Sequence, residues 1–489
     1  MGFGTIDYVV LIVYIVGIAI FGVVWSGTQR SARDYFLGRE EIPWWAVCFS
    51  IVAAETSTLT FISIPGLAYL TNLNFLQLTF GYLLGRIIVS YVFLPAYYKG
   101  ELSTAYAFLG TRFGSKTRSF ASLVFIFTRM AADGVRLFAT AIPLKFILDI
   151  DYPLAILILA VVALAYTYVG GVRAVILVDA LQMLVYIGGA LLAGVLLVSS
   201  ADGGWAAITQ KAWEADKFQI FNLGFSDTFW GNPYTLLGGL FGGMFLSMAS
   251  HGVDQLVIQR VLAAKSLIAS RKALIGSGVI IIFQFALFLI VGLLLYGHYH
   301  GASLAELGLT RSDEIFPRYI TQGLPAGLAG LIIAGLLAAA LSTLAGSMSS
   351  MASSTVLDLL KPRFGAALTP ERELPLSRIV TVLWAGMLVG SAIFFMNTTQ
   401  AVVELALSIA SFTYGGLLGT FLLGVLFKRP TQEDALAGFV AGIFIMVIVI
   451  SLKVVAWTWF TLVGVTATLM VGGALSLLGR RGDESRTGG

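Results

Sequence analysis

The stretch AAETSTLTFISIPG, Ala53 to Gly66, decides how this chain is read. It lies in an apolar run of about 44–67, long enough to cross a bilayer. Yet it carries Glu55, five hydroxyl residues (Thr56, Ser57, Thr58, Thr60, Ser63) and the pair Pro65-Gly66. Hydroxyls compete with the helical ladder and proline lacks an N–H, so an interrupted transmembrane helix is expected. A break at membrane depth bares carbonyls and a half-helix terminus, a device that holds ions and solutes. The alternative is a Ser/Thr-rich packing seam with a proline kink.

Working outward, the 489 residues are 58% hydrophobic and 11% charged, with mean hydropathy +0.90. Soluble domains carry about 25% charged residues, so an all-α integral membrane protein follows. Thirteen spans are expected, at roughly 6–26, 44–67, 75–97, 119–147, 153–169, 174–199, 236–259, 273–297, 326–350, 378–396, 401–427, 433–452 and 457–478. The first lacks a basic leader and a small-residue cleavage site, and reads as a retained span. The connectors alternate in Lys and Arg, twenty-one on one side against six on the other. The positive-inside rule then places the chain as multi-pass in the cell membrane, N-terminus outside and C-terminus cytoplasmic. The connectors at about 200–235 and 298–325 are short for a separate domain, and the last span is followed by little, so a single membrane domain over 1–489 is expected. Cys48 stands alone and allows no internal disulfide. The three histidines form no nucleophile–base or metal-ligand motif, so no enzyme is expected. Nothing in the pattern calls for nucleic acid.

Three further clusters place polar groups within spans. In AGLLAAALST, Ala334 to Thr343, small residues permit close backbone approach and end in two adjacent hydroxyls, Ser342 and Thr343. Oxygen donors suit a hard cation such as Na⁺; back-bonding to the preceding turn is the other reading. In YTYVGGVRAVILVDALQ, Tyr166 to Gln182, Asp179 lies almost two turns into the sixth span. It needs a cation, a proton, or a partner within the bundle. In RMAADGVR, Asp133 is spaced to pair with Arg129 or Arg136 on one helix face, leaving one guanidinium in excess. Arg136 then faces an anionic solute or stays structural. His251 lines a cavity or is bonded in the interior, and Asp254, Gln255 and Arg260 read as a cytoplasmic cap of their span.

Taken together the chain resembles the sodium/solute symporter family over nearly its whole length. The matching stretches are DYFLGREEIPWW (34–45), YAFLGTRFG (106–114), YTYVGGVRAV (166–175), DQLVIQRVLAAKS (254–266), AGLIIAGLLAAALST (329–343) and YGGLLGTFLLGVLFKR (414–429). Val172 is a mild departure, standing where a larger aliphatic is usual. The resemblance implies a LeuT-type fold: a ten-helix core of two inverted five-helix repeats, about 44–427, with one extra span before it (6–26) and two after (433–478). The first repeat would open at 44–67 and the second at 236–259.

The resemblance also implies function. Sodium would be the coupling ion, held by the carbonyls of Ala53, Thr56 and Ala339 and the hydroxyls of Ser342 and Thr343. A second cation or a proton would involve Asp179 or Glu55. Members with a second sodium carry hydroxyls where this chain has Ala345 and Gly346, so one sodium is expected. The solute would lie against the break, near Glu55, Ser57, Thr60, Phe61 and Gln77, with Arg136, Ser250 and His251 as further candidates. Sugar symporters carry a stacking aromatic where Ser250 or His251 aligns, so a carboxylate-bearing or amino-acid-like solute is expected. A sugar or polyol is the alternative, and a sensor on a transporter fold is the reading from another class. Solute and bilayer are the expected partners; the oligomeric state is not legible.

Overall fold

The computed structural model describes residues 3–25, 30–37, 42–56, 58–99, 102, 104–148, 150–224, 229–309, 311–365, 369–396 and 402–484. Among them the ordered elements are helices. In chain order the long ones are α1 (Thr5–Trp25), α2 (Trp44–Glu55), α3 (Thr58–Leu70), α4 (Leu76–Lys99), α5 (Ser115–Leu148) and α6 (Tyr152–Ser199). Then come α7 (Gly243–Gly252), α8 (Gln255–Leu262), α9 (Leu267–His298), α10 (Leu328–Ser353), α11 (Pro370–Phe395), α12 (Val402–Leu426), α13 (Gln432–Leu452) and α14 (Phe460–Glu484). Eight of the described helices are long and apolar enough to cross a membrane, nine with the bent pair α2–α3. The thirteen expected stretches overlap helices among the described residues, but α5 is too charged for that count, α6 holds two stretches, α7–α8 is broken, and of α12 Phe412–Leu426 qualifies as a shorter apolar helix.

The interruption in the opening stretch is real, and it lies at Thr56 rather than at the proline. α2 and α3 meet at 59°. Thr56 has φ −82° and ψ 85°, and both its N–H and its hydroxyl donate to the Val52 carbonyl at 2.9 Å. The threonine thus ends α2 with its own side chain, while Pro65 is carried inside α3. A second interruption follows α7, where Val253 leaves helical geometry (φ −132°, ψ −5°) and Asp254 caps α8 through the Leu256 N–H at 2.9 Å. The sequence pattern alone suggests a continuous span there. Asp254 supplies the break because a carboxylate satisfies the N–H groups of a new helix start.

α6 turns at Gly171, with φ 56° and ψ −152°. A Cβ there would lie 2.3 Å from the Tyr35 carbonyl oxygen, so the residue serves both the turn and the approach of 32–37. α4 and α7 touch backbone to backbone: a Cβ on Gly85 would sit 2.4 Å from the Met244 oxygen. α10 runs through the middle of the bundle, its apolar stretch 88% buried, against 17% for the lipid-facing α1. Asp7 of α1 is buried and accepts from Gly327 and Gly330 N–H at 2.7 Å each, capping the start of α10. Lys217, whose ammonium burial pushes below the usual lysine range, donates to the Tyr69 and Thr71 carbonyls at 2.8 and 2.9 Å and so closes the end of α3.

The two ends of the bundle differ. Where α10 ends, polar ties are dense. Gln255 bonds Ala105 N and Ser353, Gln259 bonds Ser349, and Asp358 takes Thr104 at 2.5 Å and Arg118 at 2.8 Å. Where α10 begins lies a cavity of about 760 Å³, walled by Thr58, Ser63, Arg311, Asp313, Arg318 and Gln322 among others.

Candidate functional site

The break at Thr56 faces α10. Thr58, the first residue of α3, donates to the Leu336 carbonyl of α10 at 3.4 Å. Ala53, Thr56, Ser342 and Thr343 are all buried. Ser342 Oγ is sealed from solvent and has no partner at ordinary hydrogen-bond distance; its polar neighbour is the Asp179 carboxylate, whose Oδ1 is likewise buried and unpartnered. A buried hydroxyl without a partner demands an explanation, and a cation at the break supplies one. Hydroxyl and carbonyl oxygens form a weak, hard-donor set that suits Na⁺. Gln284 of α9 is a member of this shell that sequence reasoning does not find: its amide donates to Thr56 Oγ1, while its oxygen is buried and unpartnered.

Asp179 is not a lone carboxylate. Arg260 grips it through Nη2 at 3.0 Å and Nε at 3.1 Å, and Ser50 donates to it at 2.5 Å. The lack of a side chain at Gly346 makes room for that guanidinium: a Cβ there would be 2.3 Å from Arg260 Nη2. The structure thus gives Asp179 a partner within the bundle at Oδ2, while its Oδ1 is buried without one. Arg260 itself, expected as part of a cytoplasmic cap, is buried in the interior.

On the other side of the break lies a cavity of about 170 Å³. Glu55, Thr60, Ser63, Arg136, Ser250 and His251 line it, together with Arg129 and Tyr414. The 760 Å³ cavity shares Ser63 with it and leads away toward the start of α10. Glu55 is paired with Arg86, which also donates to Ser277 at 2.8 Å, and lies 3.5 Å from His251 Nε2. Ser250 holds His251 Nδ1 at 2.8 Å. Arg136 donates Nη1 to Asp133 at 2.8 Å, and its Nε is buried without a partner. The expected excess guanidinium is balanced from elsewhere: Arg129 pairs with Asp254 at 2.5 Å, and Tyr414 donates to the same carboxylate at 2.6 Å. Sequence spacing along one helix could not reveal a partner 125 residues away.

Two candidates stand off this cavity. Phe61 is fully buried against Phe288 and Phe316. Gln77 is buried in bonds to Asn74, Asn222 and Tyr234. Ser57 lies outside the described residues, as does the side chain of Ala339. Conversely, an aromatic wall of Phe75, Tyr82, Phe285, Tyr414 and Trp457 has no counterpart among the sequence-based candidates. Aromatics scattered over four segments leave no local pattern to read.

A broken helix, a cation-suited oxygen set beside it and an adjoining cavity lined by charged, hydroxyl and aromatic side chains are the parts of a secondary transporter. The family model for the sodium:solute symporter family matches residues 35–442, and the chain belongs to that family. It is similar to the sodium/sialic acid symporter SiaT of Proteus mirabilis, 29% identical over 90% of this chain and 88% of that one. It is similar also to the sodium/sialic acid symporter NanT of Aliivibrio fischeri, 28% identical over 96% and 92%. The solved substrate-bound, outward-open structure of a Na⁺-coupled sialic acid symporter matches with TM-score 0.88 at 26% identity, covering 97% of this chain and 98% of that chain. The chain is therefore a multi-pass membrane symporter coupled to sodium, with a LeuT-type all-helical fold, and not an enzyme.

Proposed function

We propose that this symporter imports a small solute bearing a carboxylate, bound by Arg136 in the 170 Å³ cavity, with one Na⁺ held at the break by the carbonyls of Ala53, Thr56 and Ala339 and the hydroxyls of Ser342 and Thr343. The observation that carries the solute class is Arg136: its side chain lines the cavity, Nη1 is engaged by Asp133, and the buried Nε makes no hydrogen bond. Guanidinium matches carboxylate geometry. Thr60, Ser63, Ser250 and His251 supply further hydrogen bonds, and Glu55, neutralised by Arg86, offers an acceptor to an amino group. Ligand sites of drug-sized molecules span roughly 300–1,000 Å³, so this cavity favours a monocarboxylate or small amino acid. The aromatic wall supports a second reading, a carboxylated sugar of the kind named for the sialic acid relatives, taken up with the cavity widened.

The chain is organised as a first span, a core over about 44–427 and two later spans, with its N-terminus outside. The 760 Å³ cavity then opens outward and the tied end faces the cytoplasm, where Arg118 and Lys361 line one pocket with Asp358. Sodium binds first and fixes α10 against the break. The solute follows, and rocking of the two halves releases both inside. With a zwitterionic amino acid, one sodium crossing ~100 mV contributes ~2.3 kcal/mol, about fiftyfold accumulation before the sodium gradient is counted. With a monocarboxylate anion the step is electroneutral and the sodium concentration gradient alone drives it.

The test is uptake into proteoliposomes under an imposed inward Na⁺ gradient, with labelled lactate, proline, N-acetylneuraminate and glucose. Sodium-dependent accumulation of a carboxylate solute, lost in Arg136→Met, is expected. Accumulation of glucose alone, or unchanged uptake in Arg136→Met, refutes the solute class.

A further inference from the structure

Asp133 sits between the solute cavity and α10, fully buried, and receives three groups. Arg136 donates to Oδ1 at 2.8 Å, Arg129 reaches both oxygens at 3.4 Å, and the Ser347 hydroxyl donates to Oδ2 in a short bond. Ser347 is on α10, one helical turn beyond Thr343, and its hydroxyl also lies 2.9 Å from the Thr343 carbonyl. A serine has one O–H to donate, so that proton is contested between a carboxylate and the backbone of the proposed sodium site. The chain of contacts is therefore short: Thr343 backbone, Ser347 hydroxyl, Asp133 carboxylate, Arg136 guanidinium, cavity.

We propose that Ser347 is a positioning residue that passes sodium occupancy to the solute site, by holding Asp133 and through it the orientation of Arg136. The inference rests on sodium binding at Ser342 and Thr343. When the ion draws these residues toward the break, α10 is set in one register against α5. The Ser347 proton then goes to Asp133, the charged and stronger acceptor. Asp133 in turn fixes Nη1 of Arg136 and presents the remaining edge to the cavity. Without the ion the hydroxyl falls back on the Thr343 carbonyl, and Asp133 is shared more evenly between its two arginines. Ser347 differs in this from Ser350, which is equally buried on the same helix but bonds only the Ser347 carbonyl, at 3.2 Å.

Removing the hydroxyl leaves the fold its other supports. Asp133 keeps both arginines, and α5 stays tied to the broken helix by Thr140, which donates to Thr58 Oγ1 at 3.0 Å. The test uses the full-length purified protein and needs no solute. The probe is methylglyoxal, a small arginine-directed dicarbonyl. Its rate of reaction at Arg136 is read by peptide mass spectrometry in NaCl and in N-methylglucamine chloride, beside ²²Na⁺ binding to the same samples. Couplings between sites are typically about five- to 150-fold, so sodium should change the wild-type rate by about fivefold or more. In Ser347→Ala the sodium effect on Arg136 should vanish while ²²Na⁺ binding persists, and Ser350→Ala should behave as wild type. A full sodium effect in Ser347→Ala overturns the proposal, as does loss of ²²Na⁺ binding in that variant or an unresponsive Arg136 in a wild type that binds sodium. Absence of ²²Na⁺ binding in wild type instead removes the sodium-site reading beneath it, so the two failures are distinct.

Discussion

Ser342→Ala is the perturbation whose outcome differs most between a sodium ligand and a packing serine. Ser342 Oγ is buried with no partner at ordinary hydrogen-bond distance, its polar neighbour being the Asp179 carboxylate, so its removal breaks no close hydrogen bond. Leaving a buried polar group unsatisfied costs about 1–3 kcal/mol. The sodium-free protein should therefore hold its stability, or gain up to about that amount, when the hydroxyl is deleted. The sodium-bound protein should lose. A neutral donor or acceptor facing a charge is worth about 1.5–3 kcal/mol, which corresponds to a sodium affinity about ten- to a hundredfold weaker. Because a ligand that binds only the folded state stabilises it by RT ln(1 + [L]/Kd), thermal unfolding of the detergent-purified protein reads both effects. Unfolding is followed in NaCl and in N-methylglucamine chloride over a sodium series. The wild-type melting temperature should climb with sodium, and the Ser342→Ala curve should shift to concentrations about ten- to a hundredfold higher. Two results refute the reasoning: an unchanged sodium response, or a loss of more than about 2 kcal/mol in the sodium-free protein, which would mean that Ser342 holds the bundle together.

Other outcomes follow from the same geometry. Asp179→Asn leaves the buried Arg260 without its counter-charge; breaking such pairs costs about 3–5 kcal/mol, so a large fall in thermal stability with sodium present or absent is expected. A selective loss of sodium response with stability intact would instead make Asp179 an ion ligand. Arg136→Lys keeps the charge but not the fork, and the KM for a carboxylate solute should rise about tenfold or more; an unaltered KM would remove Arg136 from the solute site. Asp7→Ala strips two N–H groups at the start of α10 of their acceptor and should destabilise by about 1–2 kcal/mol, seen as a lowered melting temperature. Gly171→Ala places a methyl against the Tyr35 carbonyl at positive φ; expression of folded protein should drop sharply, and normal yields would show that α6 can turn without glycine.

The parts of this architecture that are local along the chain are legible from the amino-acid order alone. Apolar runs and basic connectors mark the spans, and the crowd of hydroxyls from Thr56 to Ser63 marks the first break. Ser342 and Thr343 stand out because polar groups in hydrocarbon are expensive. Long-range pairing sets the features that escape such a reading. The partners of Asp179, Arg129 and Glu55 come from α8, from Asp254 and from α4, and no spacing along a helix encodes such contacts. The second break, at Val253-Asp254, lacks proline and a hydroxyl cluster; its one signal is an aspartate that both caps α8 and meets a buried arginine. The solute wall is legible in part, through Glu55, Thr60, Arg136, Ser250 and His251. Its aromatic members are scattered over four segments, whereas Phe61 and Gln77 turn toward other neighbours.

The most direct measurement is equilibrium ²²Na⁺ binding to purified protein, wild type against the double variant Ser342→Ala, Thr343→Ala. The account predicts one saturable sodium per chain in the wild type and none in the variant at the same concentrations. Equal binding by the two proteins would contradict it, because the ion would then be held somewhere other than where the broken helix meets α10.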